Sequence, residues 1–175
     1  SCYFILSIGS TSDWFFCFRR VYTAIENNRS LANQNANEIH LNIHPEIKIK
    51  ADAALFSEAI SNLLHNAIKY GESDEPILVK SNKKNGVEIS IENRRTIIPQ
   101  KYRKRIFQRF FTVDKSRSRE KGGTGLGLSI VKHIVLVHGG TIKYDSDNKN
   151  TNRFVISLPK KSTSTKLSLI HIWRC

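Results

Sequence analysis

The stretch that most restricts how this chain can fold is DAALFSEAISNLLHNAIKYG, residues 52–71. Leu55, Phe56, Ile60, Leu63, Leu64, Ala67 and Ile68 recur every three or four residues and predict an amphipathic helix over 53–70. Asp52 stands where an N-cap belongs and Gly71 where a C-cap glycine belongs. A helix with one apolar face needs a second layer to cover it. The other face carries Glu58, Asn62, Asn66 and Lys69 in one stripe, at spacings of four, four and three. Facing water, such a stripe is ordinary. Facing a ligand, it is chemistry: an Asn carbonyl suits Mg²⁺, which also keeps waters and phosphates as ligands, and a lysine meets a phosphate as a point charge.

The second layer is legible in period-two segments. IHLNIH from residue 39, IKIK from 47, ILVKS (77–81), VEISIE (87–92), TIKYD (141–145) and RFVISL (153–158) read as strands. The turn-rich NKKNG joins two of them. Pro99 opens a short amphipathic helix over 99–107, and 112–123 reads as a mobile loop. A second good helix covers 125–138 and stops at Gly139 and Gly140. Short-turn strands mixed with helices predict an α+β fold: a two-layer sandwich with a mixed, largely antiparallel sheet and helices on one face. No internal repeat is present.

GGTGLGLSIVKHI (122–134) puts four glycines within six residues immediately before that second helix. The first turn of a helix offers N–H groups without internal partners, and glycines let an anion approach the backbone closely. With the helix dipole they form a phosphate cradle. Thr124 stands at the helix mouth, placed to cap it or to touch a phosphate. The loop is neither a Walker A sequence, lacking Gly-Lys-Ser/Thr, nor a Rossmann fingerprint. Taken alone, GTGLGL reads equally well as a plain helix start.

Lys and Arg number 28 against 15 acidic residues, a formal charge of +13 that implies either an anionic partner or a solubilising surface. Cys2, Cys17 and Cys175 lie towards the ends, with no C-x-x-C, so neither a zinc site nor a disulfide framework is supported. The apolar run 3–18 is interrupted by Gly9, Ser10, Thr11, Ser12 and Asp13. It falls short of the roughly 20 residues a membrane span needs, and it lacks the basic n-region of a signal peptide. Residues 1–35 read as a poorly specified flank whose 19–34 part could be helical, 36–160 as the domain, and 161–175 as a non-domain tail. Methionine is absent even at position 1, and the expectation is a fragment of a longer protein.

Together, NLLHNAIKY (62–70), RIFQRFFTVDKSRS (105–118) and GGTGLGLSIVKHIVLVHGG (122–140) resemble, in order and spacing, the N box, the F box with the start of the ATP lid, and the G2 box. These belong to the catalytic ATP-binding domain of bacterial two-component sensor histidine kinases, in the superfamily of gyrase, Hsp90 and MutL. The resemblance covers residues 36–160 and implies the Bergerat-type sandwich, with Mg-ATP as ligand. It implies that Asn66 coordinates Mg²⁺ with Asn62 nearby, that Lys69 touches a phosphate, and that Tyr70 lines the nucleotide site. Gly123, Gly125 and Gly127, with the amides of Thr124, Leu126 and Leu128, would embrace the phosphates. Lys115 and Arg117, with Arg119, would screen phosphate charge, or else belong to a solvated basic loop. The ATP-hydrolysing members carry Glu four residues before the metal-binding Asn. Here Asn62 stands there, and an amide cannot serve as general base for water. Phosphoryl transfer to a histidine is thereby favoured over hydrolysis.

The chain departs from the family at the G1 box, D-x-G-x-G, whose Asp accepts from the adenine amine. ENRRTIIP (92–99) puts Asn93 at the Asp, and Arg95 and Ile97 at the glycines. Asn93 can still accept, without charge assistance, and is similar to some heavy-metal-sensor members. Arg95 is strained if the backbone needs positive φ, and it could crowd the adenine; otherwise the turn adapts and Arg95 points to solvent. The lid often has a basic residue where Thr112 stands. None of the six histidines (His40, His44, His65, His133, His138, His171) has the acidic neighbour of the phosphoacceptor H box. They read as surface or packing histidines. The phosphoacceptor hairpin is therefore expected on another part of the kinase, and residues 19–34 could be the remnant of its exit helix. The partners implied are that dimerisation domain and a response regulator. The chain itself is expected to be monomeric, a cytoplasmic domain of a membrane-bound sensor. Two other readings stand beside this one. The first is a nucleotide-incompetent binding module, drawn from Arg95 and Ile97. The second is a nucleic-acid binder, drawn from Lys101, Arg103, Lys104, Arg105 and Arg109 interleaved with Phe107, Phe110 and Phe111. No nucleic-acid partner is expected, because IFxxFF at this spacing is more often a segment packing its apolar side.

Overall fold

The computed structural model of the chain describes residues 16–17, 19–44, 47–49, 51–72, 74–83, 86–113, 123–147 and 150–160. Strand β1 (Phe16–Cys17) pairs antiparallel with β3 (Lys48–Ile49) as a two-stranded ribbon. The main sheet has the order β2-β4-β5-β7-β6. Here β2 is Ile39–Asn42, β4 Ile77–Asn82, β5 Gly86–Arg94, β6 Thr141–Ser146 and β7 Thr151–Pro159. The β2–β4 pair is parallel and the other three pairs are antiparallel, which is the mixed, largely antiparallel sheet expected from the sequence.

Alternation gives the sheet one buried face. Ile89, Ile91 and Asn93 of β5 stand opposite Ile156, Phe154 and Asn152 of β7, and all six are buried. Over that face lies α2 (Ala53–Tyr70), burying Phe56, Ala59, Ile60, Leu63, Leu64, Ala67 and Ile68. Leu55 departs from the apolar stripe drawn from the sequence: it is 39% exposed, and Ala59 takes the buried place. Helices α1 (Arg19–Gln34) and α3 (Gly127–Val137) flank α2, and all three share one hydrophobic core with the sheet. Val21, Ala24, Ile25 and Ala32 of α1 are buried in it, so the core runs N-terminal of residue 36, where the sequence placed the domain limit. The helix is polar on average, and four small or branched residues on one face were too thin a pattern to separate it from a solvated flank.

Asp52 caps α2 by accepting the Leu55 N–H at 2.9 Å. At the other end the Gly71 N–H donates to the Ala67 carbonyl at 2.7 Å. Gly71 is extended, not left-handed, and what requires a glycine is space: a Cβ would lie 2.6 Å from that carbonyl oxygen. His138 is a packing histidine. Its Nδ1 lies 2.7 Å from the Ile134 carbonyl, so this nitrogen carries the proton, and its Nε2 accepts the Asp52 N–H at 2.9 Å. It thereby joins the end of α3 to the start of α2. The helix expected over 99–107 is a 3₁₀ turn, Gln100–Tyr102, continued by turns to residue 107. Only Ile106 there is fully buried, too small an apolar face to sustain a longer helix. No helix among the described residues is long and apolar enough to cross a membrane.

Candidate nucleotide site

A cleft of about 910 Å³ opens between α2, the mouth of α3 and the ends of β5 and β7. The stripe on α2 faces into it: Asn62, Asn66, Lys69 and Tyr70 all line the cleft. Glu58, from the same stripe, does not and is exposed. Gly123, Thr124, Gly125, Gly127 and Leu128 line the opposite wall, and Asn93 lines the cleft from the end of β5. Leu126 is not in the lining; its N–H meets Thr124 Oγ1 at a long 3.4 Å. Thr124 is therefore not the N-cap of α3, a position that Leu126 occupies without a side-chain bond. Lys115 and Arg117 lie outside the described residues.

The glycine wall is shaped by contact. Gly125 has φ +70°, and a Cβ on it would lie 2.8 Å from the Phe110 carbonyl carbon. The Phe110 N–H donates to the Gly125 carbonyl at 3.0 Å, and Phe110 itself has φ +60°. The F-box segment and the glycine loop thus hold each other in left-handed conformations that only glycine adopts without cost. A Cβ on Gly127 would lie 3.2 Å from Asn62 Oδ1, so the loop lies against the α2 stripe. Asn62 donates its Nδ2 to the Glu58 carbonyl at 3.0 Å, which orients that oxygen.

At the other end of the cleft, neither Arg95 nor Ile97 has a positive φ, so the turn does not need the family's glycines. The Arg95 N–H donates to the Asn150 carbonyl at 2.9 Å, and its own carbonyl accepts from Asn152 Nδ2 at 3.0 Å. The guanidinium does not turn to solvent. It lies 4.8 Å from the centre of the Tyr70 ring, with Lys69 Nζ 5.3 Å from the same ring. Such cation–π contacts contribute about 0.5–1 kcal/mol at exposed sites.

The sequence reading missed Asn152. It is 1% exposed, lines the cleft, and accepts the Tyr144 hydroxyl at 2.6 Å. The signal was available: Asn152 falls in phase with Phe154, Ile156 and Leu158, a polar residue at a core position. Leu31 of α1, Asn35 just past its end, and Phe111 and Thr112 also line the cleft. Leu31 and Asn35 come from the stretch read as flank, Phe111 from the F box and Thr112 from the loop, and periodicity in these stretches says nothing about a pocket. Part of the basic segment makes internal contacts. Arg105 lies over Phe111 at 4.6 Å, and Arg103 donates to the Ile98 carbonyl and Ser146 Oγ. Phe107 packs edge-on against Phe154.

Two features fit a purine nucleotide with Mg²⁺. Asn93 Nδ2 is buried without a hydrogen-bond partner, and glycine stands where a side chain would fill the cradle. Among the described residues there is no group of three or more His, Cys, Asp or Glu placed for a metal. The amide of Asn66 is instead the donor type that Mg²⁺ takes when waters and phosphates complete its shell. On the outer face of the sheet, next to Asn93 in sequence, the buried Glu92 accepts from Lys80 and Arg153, each at 2.9 Å. Burial pushes its carboxyl up, but the hydrogen bonds and charges of Lys80 and Arg153 outweigh burial and hold it below the ordinary value.

The profile of the family described as histidine kinase-, DNA gyrase B- and HSP90-like ATPase matches residues 51–162. A sensor-like histidine kinase SenX3 of Mycolicibacterium smegmatis is 35% identical over 141 residues, covering 80% of this chain and 37% of its own length. The sensor histidine kinase CusS of Escherichia coli is 39% identical over 131 residues, covering 74% of this chain and 27% of its own length. The chain thus spans well under half of these relatives. Among solved structures, the mycobacterial sensor histidine kinase MprB superposes with a TM-score of 0.70 at 26% identity, over 81% of this chain and 92% of that one.

Proposed function

Because the chain belongs to the histidine kinase-, DNA gyrase B- and HSP90-like ATPase family, with sensor histidine kinases as its relatives, we propose that it binds Mg-ATP in the cleft and donates the terminal phosphoryl group to a histidine on a separate dimerisation domain. The observation that carries this reading is the convergence of the α2 stripe, the glycine wall and Asn93 on one cleft. Asn66 would hold Mg²⁺, which neutralises phosphate charge. Lys69 and the first-turn amides of α3 would bind the phosphates, and Asn93 would meet the 6-position of the base. In the transfer, the bond between the terminal phosphorus and the bridging oxygen breaks, a phosphorus–nitrogen bond to imidazole forms, ADP departs and the imidazole gives up its other proton to solvent. Asn62 supports transfer over hydrolysis, since its amide takes no proton from water. Charge stabilisation and positioning account for most of such catalysis.

The acceptor histidine, a downstream response regulator and a cytoplasmic placement on a membrane-bound sensor belong to the same reading. The engaged contacts of Arg103 and Arg105 favour it over nucleic-acid binding. The reading of a nucleotide-incompetent module rests on Arg95 against Tyr70.

Calorimetric titration with a non-hydrolysable ATP analogue and Mg²⁺ tests the reading, using the parent chain, Asn66→Ala and Arg95→Gly. Binding by the parent and its loss in Asn66→Ala are expected. Binding that appears only in Arg95→Gly would replace the reading with a blocked kinase scaffold, and no binding by any folded variant would end it. Transfer is tested with labelled ATP and the separately produced phosphoacceptor domain of a related kinase. The expected product is a phosphate stable to alkali and labile to acid.

A further inference from the structure

Asn93 and Asn152 stand directly opposite each other in the β5–β7 register, both buried and both lining the cleft. Their amides are held very differently. Asn152 is fixed in one orientation: its Oδ1 accepts from the Tyr144 hydroxyl and its Nδ2 donates to the Arg95 carbonyl. Reversing it would set two acceptors against each other at the Arg95 carbonyl and remove the acceptor of the Tyr144 hydroxyl, which itself already accepts the Ile98 N–H. Asn93 has no such constraint. It is 4% exposed, its Nδ2 is unpartnered, and no hydrogen bond among the described residues fixes either end of its amide.

A carboxamide carries a donor and an acceptor of nearly the same size, so a half-turn exchanges them without changing the volume filled. A buried amide without partners takes the orientation its ligand offers, because leaving it unpaired in the low-dielectric interior is costly. Towards a 6-aminopurine the amide presents its carbonyl. Towards a 6-oxopurine it presents its NH₂. A carboxylate at this position would accept only, and would repel a 6-oxo group.

We propose that Asn93 makes the base subsite permissive at the purine 6-position, so that the chain takes 6-oxopurine triphosphates as well as ATP. The proposal rests on the reading of the cleft as a purine nucleotide site. Inosine triphosphate is the probe, because it lacks the 2-amino group of guanine and isolates position 6. Mg-ATP and Mg-ITP are titrated calorimetrically into the parent chain and into Asn93→Asp. The expected result is affinities within about tenfold of each other in the parent, against the far larger ratios seen when a site built for one hydrogen-bonding pattern meets the other. In Asn93→Asp, ITP should lose about a hundredfold relative to ATP. A parent that binds ATP but prefers it over ITP by more than tenfold overturns the proposal and leaves the ATP reading standing. An unchanged ratio in a folded Asn93→Asp overturns it too. Should Asn93→Asp fail to fold, the parent ratio alone decides. Binding of neither nucleotide overturns both.

Discussion

The helix side and the strand side of the cleft are built on different principles. On the helix side, Asn62, Asn66, Lys69 and Tyr70 are placed by the period of α2, and the glycine wall by two left-handed residues that clasp each other, Gly125 and Phe110. Little there can be exchanged without moving backbone. On the strand side, Asn93, Arg95 and Ile97 depart from the family pattern, yet neither Arg95 nor Ile97 has positive φ, and hydrogen bonds from the Arg95 N–H to the Asn150 carbonyl and from the Asn152 side chain to the Arg95 carbonyl hold the turn. The lesson is that a glycine pattern in a family can mark two different needs. Where φ is positive and a neighbour crowds the position, the glycine is obligatory. Where the backbone is ordinary, a side chain fits and becomes part of the wall.

The sharpest way to break this comparison is Gly125→Ala. The added Cβ meets Phe110 backbone at 2.8 Å in a φ of +70°, so the loop must shift. Nucleotide affinity should fall about a hundredfold with the fold retained by circular dichroism, since mispositioned phosphate-binding amides are costly. Unchanged affinity would mean that the loop is not the phosphate cradle.

The next effect separates the two asparagines of the strand side. Asn152→Ala strands the Arg95 carbonyl and the Tyr144 hydroxyl, and should cost about 2–3 kcal/mol in urea unfolding. Asn93→Leu, similar in volume and losing no hydrogen bond, should stay within about 0.5 kcal/mol of the parent or exceed it. Equal losses would mean that Asn93 has a partner in solution.

Arg95→Gly is smaller again. If the strand side tolerates its side chain, removing the guanidinium from Tyr70 should change ATP affinity by less than about tenfold, the range of a cation–π contact and some crowding. A larger gain would make Arg95 a block rather than a wall.

Most of the helix side was legible in the sequence, and the strand side less so, for a physical reason. A helix repeats every 3.6 residues, so 62, 66 and 69 share a face before any tertiary contact exists. The buried face of the sheet likewise follows from alternation, as in the core-facing Phe154, Ile156 and Leu158, whereas the order of its strands does not. Whether Arg95 turns outward or onto Tyr70 depends on a contact across 25 positions of sequence, and no local pattern encodes it. The same holds for α1: its few buried residues count as core only because α2 covers them. Asn152 lies between these cases, since its phase in β7 was visible and its partners were not.

The smallest effect separates the two faces of β5 at adjacent residues. Asn93 faces the cleft, while Glu92 faces outward into Lys80 and Arg153. Because the Glu92 carboxyl is held below its ordinary value of 4.5, the folded state favours its charged form. The stabilisation is present in full above that ordinary value and is lost as pH falls through the lower, folded value. Glu92→Gln should therefore cost about 1 kcal/mol at neutral pH, modest because both cations stay partly in water. The gap between parent and variant should close as pH falls below the ordinary value of 4.5 and through the lower, folded one, in urea titrations run at several pH values. Nucleotide affinity should not change, since the carboxylate lies on the far side of the sheet. A Glu92→Gln variant with weakened ATP binding would show that the outer face reaches the base subsite through β5, and that the strand side is less self-contained than its hydrogen bonds imply.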